Sequence, residues 1–223
     1  MTSPLPAPEP LVAPDAAPDT SAEDHWPVSS WLNALDGVSY LVDVDGVILA
    51  VSESAWNGFA AANGAPALTA AAMIGRNILD DTCGEAVRGY YRARHLAVLN
   101  GPTPWVAFEY RCDAPDIRRS MRMSISRLIA PGQPVRLLYQ SQLLSAAARP
   151  WMSVFEPERI VELIRGESAL PIQPMCSVCQ KLSWVATGQQ TAWIEADVYY
   201  RQGGEAEVRI SHGVCPECLA AVS

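Results

Sequence analysis

The stretch Ser39-Tyr-Leu-Val-Asp-Val-Asp-Gly-Val-Ile-Leu-Ala-Val-Ser52 sets two β-rich runs on either side of Asp45-Gly46. Asp-Gly between such runs favours a tight turn that reverses the chain, so residues 39–52 predict a β-hairpin. Ser52 or Ser54 is placed to cap a helix through Ala55, Trp56, Phe59 and Ala60, which recur at helical spacing, and Asn63-Gly64 closes it. Upstream, Trp31, Leu32 and Leu35 give a short amphipathic turn beginning near Ser29.

Downstream, Ile74-Gly75-Arg76-Asn77-Ile78-Leu79 precedes a helix expected over 84–99. There Val87, Tyr90, Tyr91, Arg94 and Val98 recur every three or four residues and Asn100-Gly101 ends the pattern. Three strands follow at 105–112, 119–129 and 135–144, with Pro115 and Pro131-Gly132 at the turns. Two strands, helices and three strands make an α+β domain, one antiparallel sheet covered on one face by helices.

The Asp43-Val-Asp-Gly-Val-Ile48 hairpin, the Ile74–Leu79 segment before the long helix and the Phe108-Glu-Tyr-Arg111 strand together resemble the PAS sensor family over about residues 37–145. The resemblance implies a five-stranded sheet with a cavity between sheet and helices, which in that family holds haem, flavin, a small metabolite or nothing. Its lining is expected from Trp56, Phe59, Ile78, His95, Leu96, Phe108 and Met123, residues that equally suit a plain core. His95 lies on the helix that carries the axial ligand in haem-binding relatives. For a lone helical histidine, a surface or packing role is the preferred reading.

Residues 1–27, rich in Pro, Ala and acids, read as a disordered tail, and 28–145 as the sensor domain. Residues 146–172 read as a connector. In it, Glu156-Pro157-Glu158 starts a helix with Ile160, Leu163 and Ile164 on one face and Gly166 at its end. Packing against the main domain and a signalling or dimerisation role remain equally open for it.

Residues 173–223 carry Cys176-Ser-Val-Cys179 and Cys215-Pro-Glu-Cys218. Two residues between cysteines let backbone N–H groups turn toward the sulfurs and aim both thiolates at one ion. Two such knuckles supply the tetrahedral sulfur set that zinc accepts, and four cysteines close the shell, so the expected ion is structural. Residues 193–200 and 206–210 read as strands joined at Gln202-Gly203-Gly204, a hairpin that brings the knuckles together in a ribbon. Cys-x-x-Cys followed by Trp, then Ser211-His212-Gly213-Val214-Cys215-Pro216-Glu217-Cys218, also resembles a module found after PAS or response-regulator domains in bacterial signalling proteins. His212 is expected beside the ion, in its outer sphere. Disulfides are disfavoured without a secretion signal, a redox pair lacks its thioredoxin-like setting, and sequence leaves an iron–sulfur cluster open. Cys83 and Cys112 read as small buried residues.

Val42-Asp43-Val44-Asp45-Gly46 also resembles the first motif of haloacid-dehalogenase-like phosphatases, which implies Asp43 as nucleophile and Asp45 as acid/base. The required downstream partners are missing: Lys181 is the only lysine and Asp197 the only later aspartate, so the hairpin reading is preferred. No phosphate loop, nucleophile elbow or His-Glu-x-x-His helix is present. The net charge of −8 opposes a phosphate backbone, and between Cys176 and Cys218 three bases face five acids, which disfavours a nucleic-acid-binding ribbon. Arg88, Arg92, Arg94, Arg118, Arg119 and Arg122 read as a solvated face. The expectation is thus a non-catalytic, cytoplasmic signalling protein without a membrane span. Its partner would be another protein: a second copy, or a signalling kinase or regulator.

Overall fold

The computed structural model describes residues 26–80, 82, 84–160, 169–185 and 190–222. The expected tail up to 25, with His25, lies outside the described residues, as do Cys83 and the Leu163, Ile164 and Gly166 positions of the connector.

The hairpin forms as the Asp-Gly turn dictates. Strand β1 (Val38–Val42) pairs antiparallel with β2 (Ile48–Val51), and Gly46 takes φ of 91°, a left-handed position suited to glycine. Asp43 Oδ1 accepts the N–H groups of Asp45 and Val47 at 3.0 and 2.8 Å, so this carboxylate holds the turn together. Helix α1 (Val28–Ala34) precedes the hairpin and buries Leu32; α2 (Glu53–Ala62) follows it. Ser52 stands at the N-cap of α2, but its hydroxyl accepts the N–H of Ser39 instead of capping the helix. After α3 (Ala70–Met73), the 74–79 segment shields the free edge of β2: Gly75 N–H donates to Ile48 O, and Arg76 O accepts from Ile48 N–H.

Helix α4 (Glu85–Asn100) buries Val87, Tyr90, Arg94 and Val98 of the expected row, with the adjacent His95, while Tyr91 of that row is part-buried. Strands β3 (Trp105–Arg111), β4 (Ile117–Leu128) and β5 (Arg136–Ala148) complete an antiparallel sheet in the order β2-β1-β5-β4-β3. Burial alternates along β4 (Met121, Met123, Ile125) and β5 (Leu137, Tyr139, Ser141), so one face of the sheet supplies the core beneath the helices. The sheet runs to Ala148, into the expected connector. There the chain makes two 3₁₀ turns, Ser153–Phe155 and Pro157–Arg159, in place of the start of an α-helix.

The C-terminal module departs from the expected ribbon. Strands β6 (Ile172–Cys176), β7 (Leu182–Trp184), β8 (Ala192–Ile194) and β9 (Arg209–Gly213) form a sheet in the order β8-β7-β6-β9. The β6–β9 pair is parallel, with Cys176 opposite Gly213. Residues 196–200, part of the expected 193–200 strand, lie in helix α5 (Ala196–Arg201), because Ala196 and Tyr199, three apart, are the residues that reach the core. The crossover through α5 makes the parallel pairing possible, and the hairpin expected between 193–200 and 206–210 does not form. Val154 from the first 3₁₀ turn is buried with Met175, Leu182, Tyr199, Val208 and Ile210, so this part of the connector belongs to the module's core.

Candidate metal centre and cavity

Each cysteine pair is positioned by its own local turn. After β6, Gln180 N–H donates to Cys176 O at 2.8 Å and Cys176 N–H to Lys181 O at 2.9 Å, which folds residues 176–181 back on themselves. Gln180 carries this turn at φ of 55°, the only non-glycine residue with positive φ among the described residues. After β9, Cys215 caps helix α6 (Pro216–Ala220), its sulfur accepting the N–H of Cys218 at 3.5 Å. Cys215 N–H donates in turn to Cys176 Sγ at 3.4 Å, joining the two turns.

The four sulfurs of Cys176, Cys179, Cys215 and Cys218 lie within 4.8 Å of one another, and Cys179 and Cys215 Sγ are 3.7 Å apart. An ion bound at about 2.3 Å by four tetrahedral thiolates separates the sulfurs by about 3.8 Å, so the set fits a single ion. A disulfide needs about 2.05 Å, and these cysteines are free. An iron–sulfur cluster inserts its own irons and sulfides between the thiolates and spreads them further than one ion does. Cys176 and Cys215 have no exposed surface. The Cys176 thiol is drawn down, first by a hydrogen bond from the Cys179 thiol and then, against its burial, by backbone N–H groups. Cys179, the proton-giving partner, is pushed up, and burial raises Cys218 to about 12. Sulfurs this close share protons, and a bound cation would take the place of those protons.

The centre is packed against the main domain. Tyr90 of α4 is buried against Cys176, Val178 and Cys215, with Phe108 and Tyr110 of β3 and Trp193 around them. Arg94, expected on a solvated face, is instead buried at 7% exposure. Its guanidinium lies 4.1 Å from the Phe108 ring centre and 4.6 Å from that of Tyr90, and donates to Tyr90 Oη at 2.8 Å. Arg119 likewise turns inward, donating to Asn63 Oδ1 at 2.7 Å.

Arg111, at the end of β3, ties the domains together. Its N–H donates to Val178 O at 2.8 Å, and its guanidinium binds Asp113 and Glu195 and lies 3.4 Å from Cys179 O. The Asp113 side chain is fully buried, also receiving Arg149 at 2.7 Å and Arg119 N–H at 2.9 Å. Asp113 N–H donates to Gln180 Oε1 at 2.8 Å. Sequence reading missed this network because its members are far apart in the chain.

A cavity of about 300 Å³ lies between sheet and helices, lined by Tyr40, Trp56, Phe59, Ala60, Tyr110, Met123 and their neighbours. Of the expected lining, Trp56, Phe59 and Met123 are there. Ile78 and Phe108 pack in the surrounding core, and Leu96 is 43% exposed on the outer side of α4, so it lines nothing. His95 is buried, Nε2 donating to Val44 O at 2.9 Å and Nδ1 bonded to the Tyr139 hydroxyl at 2.8 Å. Both ring nitrogens are engaged within the fold. Tyr110 Oη and Ser141 Oγ share a hydrogen bond at the cavity wall.

His212 stands opposite Met175 on the β6–β9 pair and lines the cleft between domain and module; the four sulfurs meet without it. Asp43, the nucleophile of the phosphatase reading, is committed to its turn, and Lys181 pairs with Glu217 at 2.7 Å. Within the module Arg201 pairs with Asp197 and Arg209 bonds Leu170 O, which leaves the ribbon's three cations already engaged.

The chain matches no protein family model and no curated protein sequence. Among solved structures it is similar to the PAS domain of BvgS from Bordetella pertussis, at 12% identity over 52% of this chain and 83% of that one, TM-score 0.39. It is also similar to the photoactive yellow protein domain of the sensor histidine kinase Ppr from Rhodospirillum centenum, at 19% identity over 51% and 91%, TM-score 0.35. A domain of an HTR-like protein from Haloarcula marismortui ATCC 43049 is similar at 19% identity over 48% and 97%, TM-score 0.31. The fold class rests on the strand order and register themselves: a PAS-like five-stranded antiparallel sheet with helices, followed by a small cysteine module. No helix of the described residues is long and apolar enough to cross a membrane.

Proposed function

We propose that this protein is a non-catalytic sensor whose PAS-like cavity takes a small ligand and whose C-terminal module, built on a structural zinc ion, presents the response to a protein partner. The observation that carries this reading is the pairing of an apolar cavity with a closed four-thiolate centre fastened to the same sheet. Zinc suits the centre because it has no geometric demand beyond four tetrahedral sulfurs, and a closed shell leaves no position for a reacting water. Bound zinc would supply only cross-linking, with Cys176, Cys179, Cys215 and Cys218 holding it.

The cavity fits a compact, mostly apolar molecule that sets one polar atom against the Tyr110–Ser141 hydroxyl pair. Binding would favour one arrangement of sheet and module over another, a population shift read by a second copy of the chain or by a signalling kinase or regulator in the cytoplasm.

The test is thermal stabilisation of the zinc-loaded chain by a panel of small aromatic compounds, repeated in Ala60→Leu, which fills the cavity. Stabilisation that disappears in the variant supports the reading. Equal stabilisation of both proteins, or none of either, removes it.

A further inference from the structure

The apolar cavity and the four-cysteine centre share a wall. Tyr110 lines the cavity and also a second space of about 280 Å³ that reaches Cys176, with Cys112, Ser177 and Gln180 among its lining residues. Its hydroxyl is fixed from the cavity side by Ser141. The residues that follow Tyr110 enter the first knuckle directly: Arg111 N–H to Val178 O, the Arg111 guanidinium toward Cys179 O, and Asp113 N–H to Gln180 Oε1. Val178, Cys179 and Gln180 lie within or directly after the Cys-x-x-Cys turn. Phe108 and Tyr110 pack both in the core of the sheet domain and against the cysteine cluster.

We propose that the cavity and the metal centre are energetically coupled through β3 residues Tyr110–Asp113. What occupies the cavity then sets how tightly the cysteines hold their ion, and loss of the ion loosens the cavity wall. This rests on the reading that the cysteines bind zinc. The reason is geometric. A Tyr110 displaced by a ligand moves a strand whose next N–H group is hydrogen-bonded to the knuckle backbone, and a packed interior passes such a shift on. Coupling of two sites is reciprocal, so either end can be perturbed and the other read.

The experiment measures transfer of zinc from the full chain to a chromophoric chelator in wild type, Ser141→Ala and Tyr110→Phe. Val51→Ala, a core truncation on the far edge strand, is the control for general loosening. Ser141 lines the cavity and does not border the cysteines. Coupling predicts that both cavity variants change the release rate by about fivefold or more while Val51→Ala stays near the wild-type rate. Amide exchange in the metal-stripped chain gives the reverse reading: the N–H groups of Arg111 and Asp113 lose protection. Wild-type release rates in both cavity variants, an equal change in Val51→Ala, or unchanged protection at Arg111 and Asp113 would overturn the proposal. A chain that carries no ion at all overturns it by removing the zinc reading beneath it.

Discussion

The backbone N–H of Arg111, last residue of β3, donates to the carbonyl oxygen of Val178 inside the Cys176–Cys179 turn at 2.8 Å. Around this one bond the Arg111 side chain gathers Asp113 and Glu195, so a single residue joins sheet, buried carboxylate and module. Arg111→Met keeps the backbone bond but leaves Asp113 with Arg149 as its only charged partner. Breaking a buried ion pair from one side costs about 3 kcal/mol, measurable by urea unfolding. Arg111→Lys should recover little of it, because an ammonium cannot reproduce the fork that serves Asp113 and Glu195 together. A lysine variant as stable as wild type would contradict this.

Gln180 separates two opposing effects. A non-glycine residue in left-handed conformation costs about 1–2 kcal/mol, while the hydrogen bond from Asp113 N–H returns about 1 kcal/mol. Gln180→Gly relieves the first and loses the second, so its stability should lie close to wild type. Gln180→Ala keeps the strain and loses the bond, and should be about 1 kcal/mol less stable. The order Gly above Ala in thermal unfolding is the expected result; the reverse order contradicts the role given to the turn.

His95→Phe retains the bulk of the ring and strands the buried Tyr139 hydroxyl together with the part-buried Val44 carbonyl. The expected loss is about 3 kcal/mol in chemical unfolding. Because neither ring nitrogen is available as a ligand in the fold, haem added to wild type and to His95→Phe should give the same absorbance spectrum. A histidine-ligated band present only in wild type would show otherwise.

Tyr40, Tyr91, Tyr110 and Tyr139 all hold their protons more tightly than exposed tyrosines, burial being the main cause in each. The fold therefore keeps protons that the unfolded chain gives up near pH 10. This stabilisation is intact below about pH 10 and is lost as pH rises through the folded-state values, about 12 for Tyr110. The main rise in tyrosinate absorbance should come above pH 10 and coincide with loss of circular dichroism. One smooth titration near pH 10 with structure retained would refute the buried cluster.

Much of this architecture was legible in local pattern. Asp45-Gly46 marked the hairpin, the Val87–Val98 row marked α4, and Pro115 and Pro131-Gly132 marked the breaks between the closing strands. The two Cys-x-x-Cys pairs marked the four cysteines whose sulfurs the fold brings within 4.8 Å of one another, because their spacing carries the geometry with it. Residues 196–200 misled because Val198, Tyr199 and Tyr200 are good strand formers, and only the three-residue step from Ala196 to Tyr199 betrayed the helix. The parallel β6–β9 pairing and the burial of Arg94 and Asp113 depend on chain segments brought together by the whole fold. No local period encodes such contacts.

The central claim is that one ion held by Cys176, Cys179, Cys215 and Cys218 gives the C-terminal module its structure. Its most direct test is native mass spectrometry of the full chain, paired with hydrogen exchange before and after chelation. The account predicts one zinc per chain, and chelation that strips protection from residues 172–184 and 209–218 while the β1–β2 hairpin keeps its own. A chain that carries no metal, yet keeps those two segments fully protected in excess chelator, would contradict it.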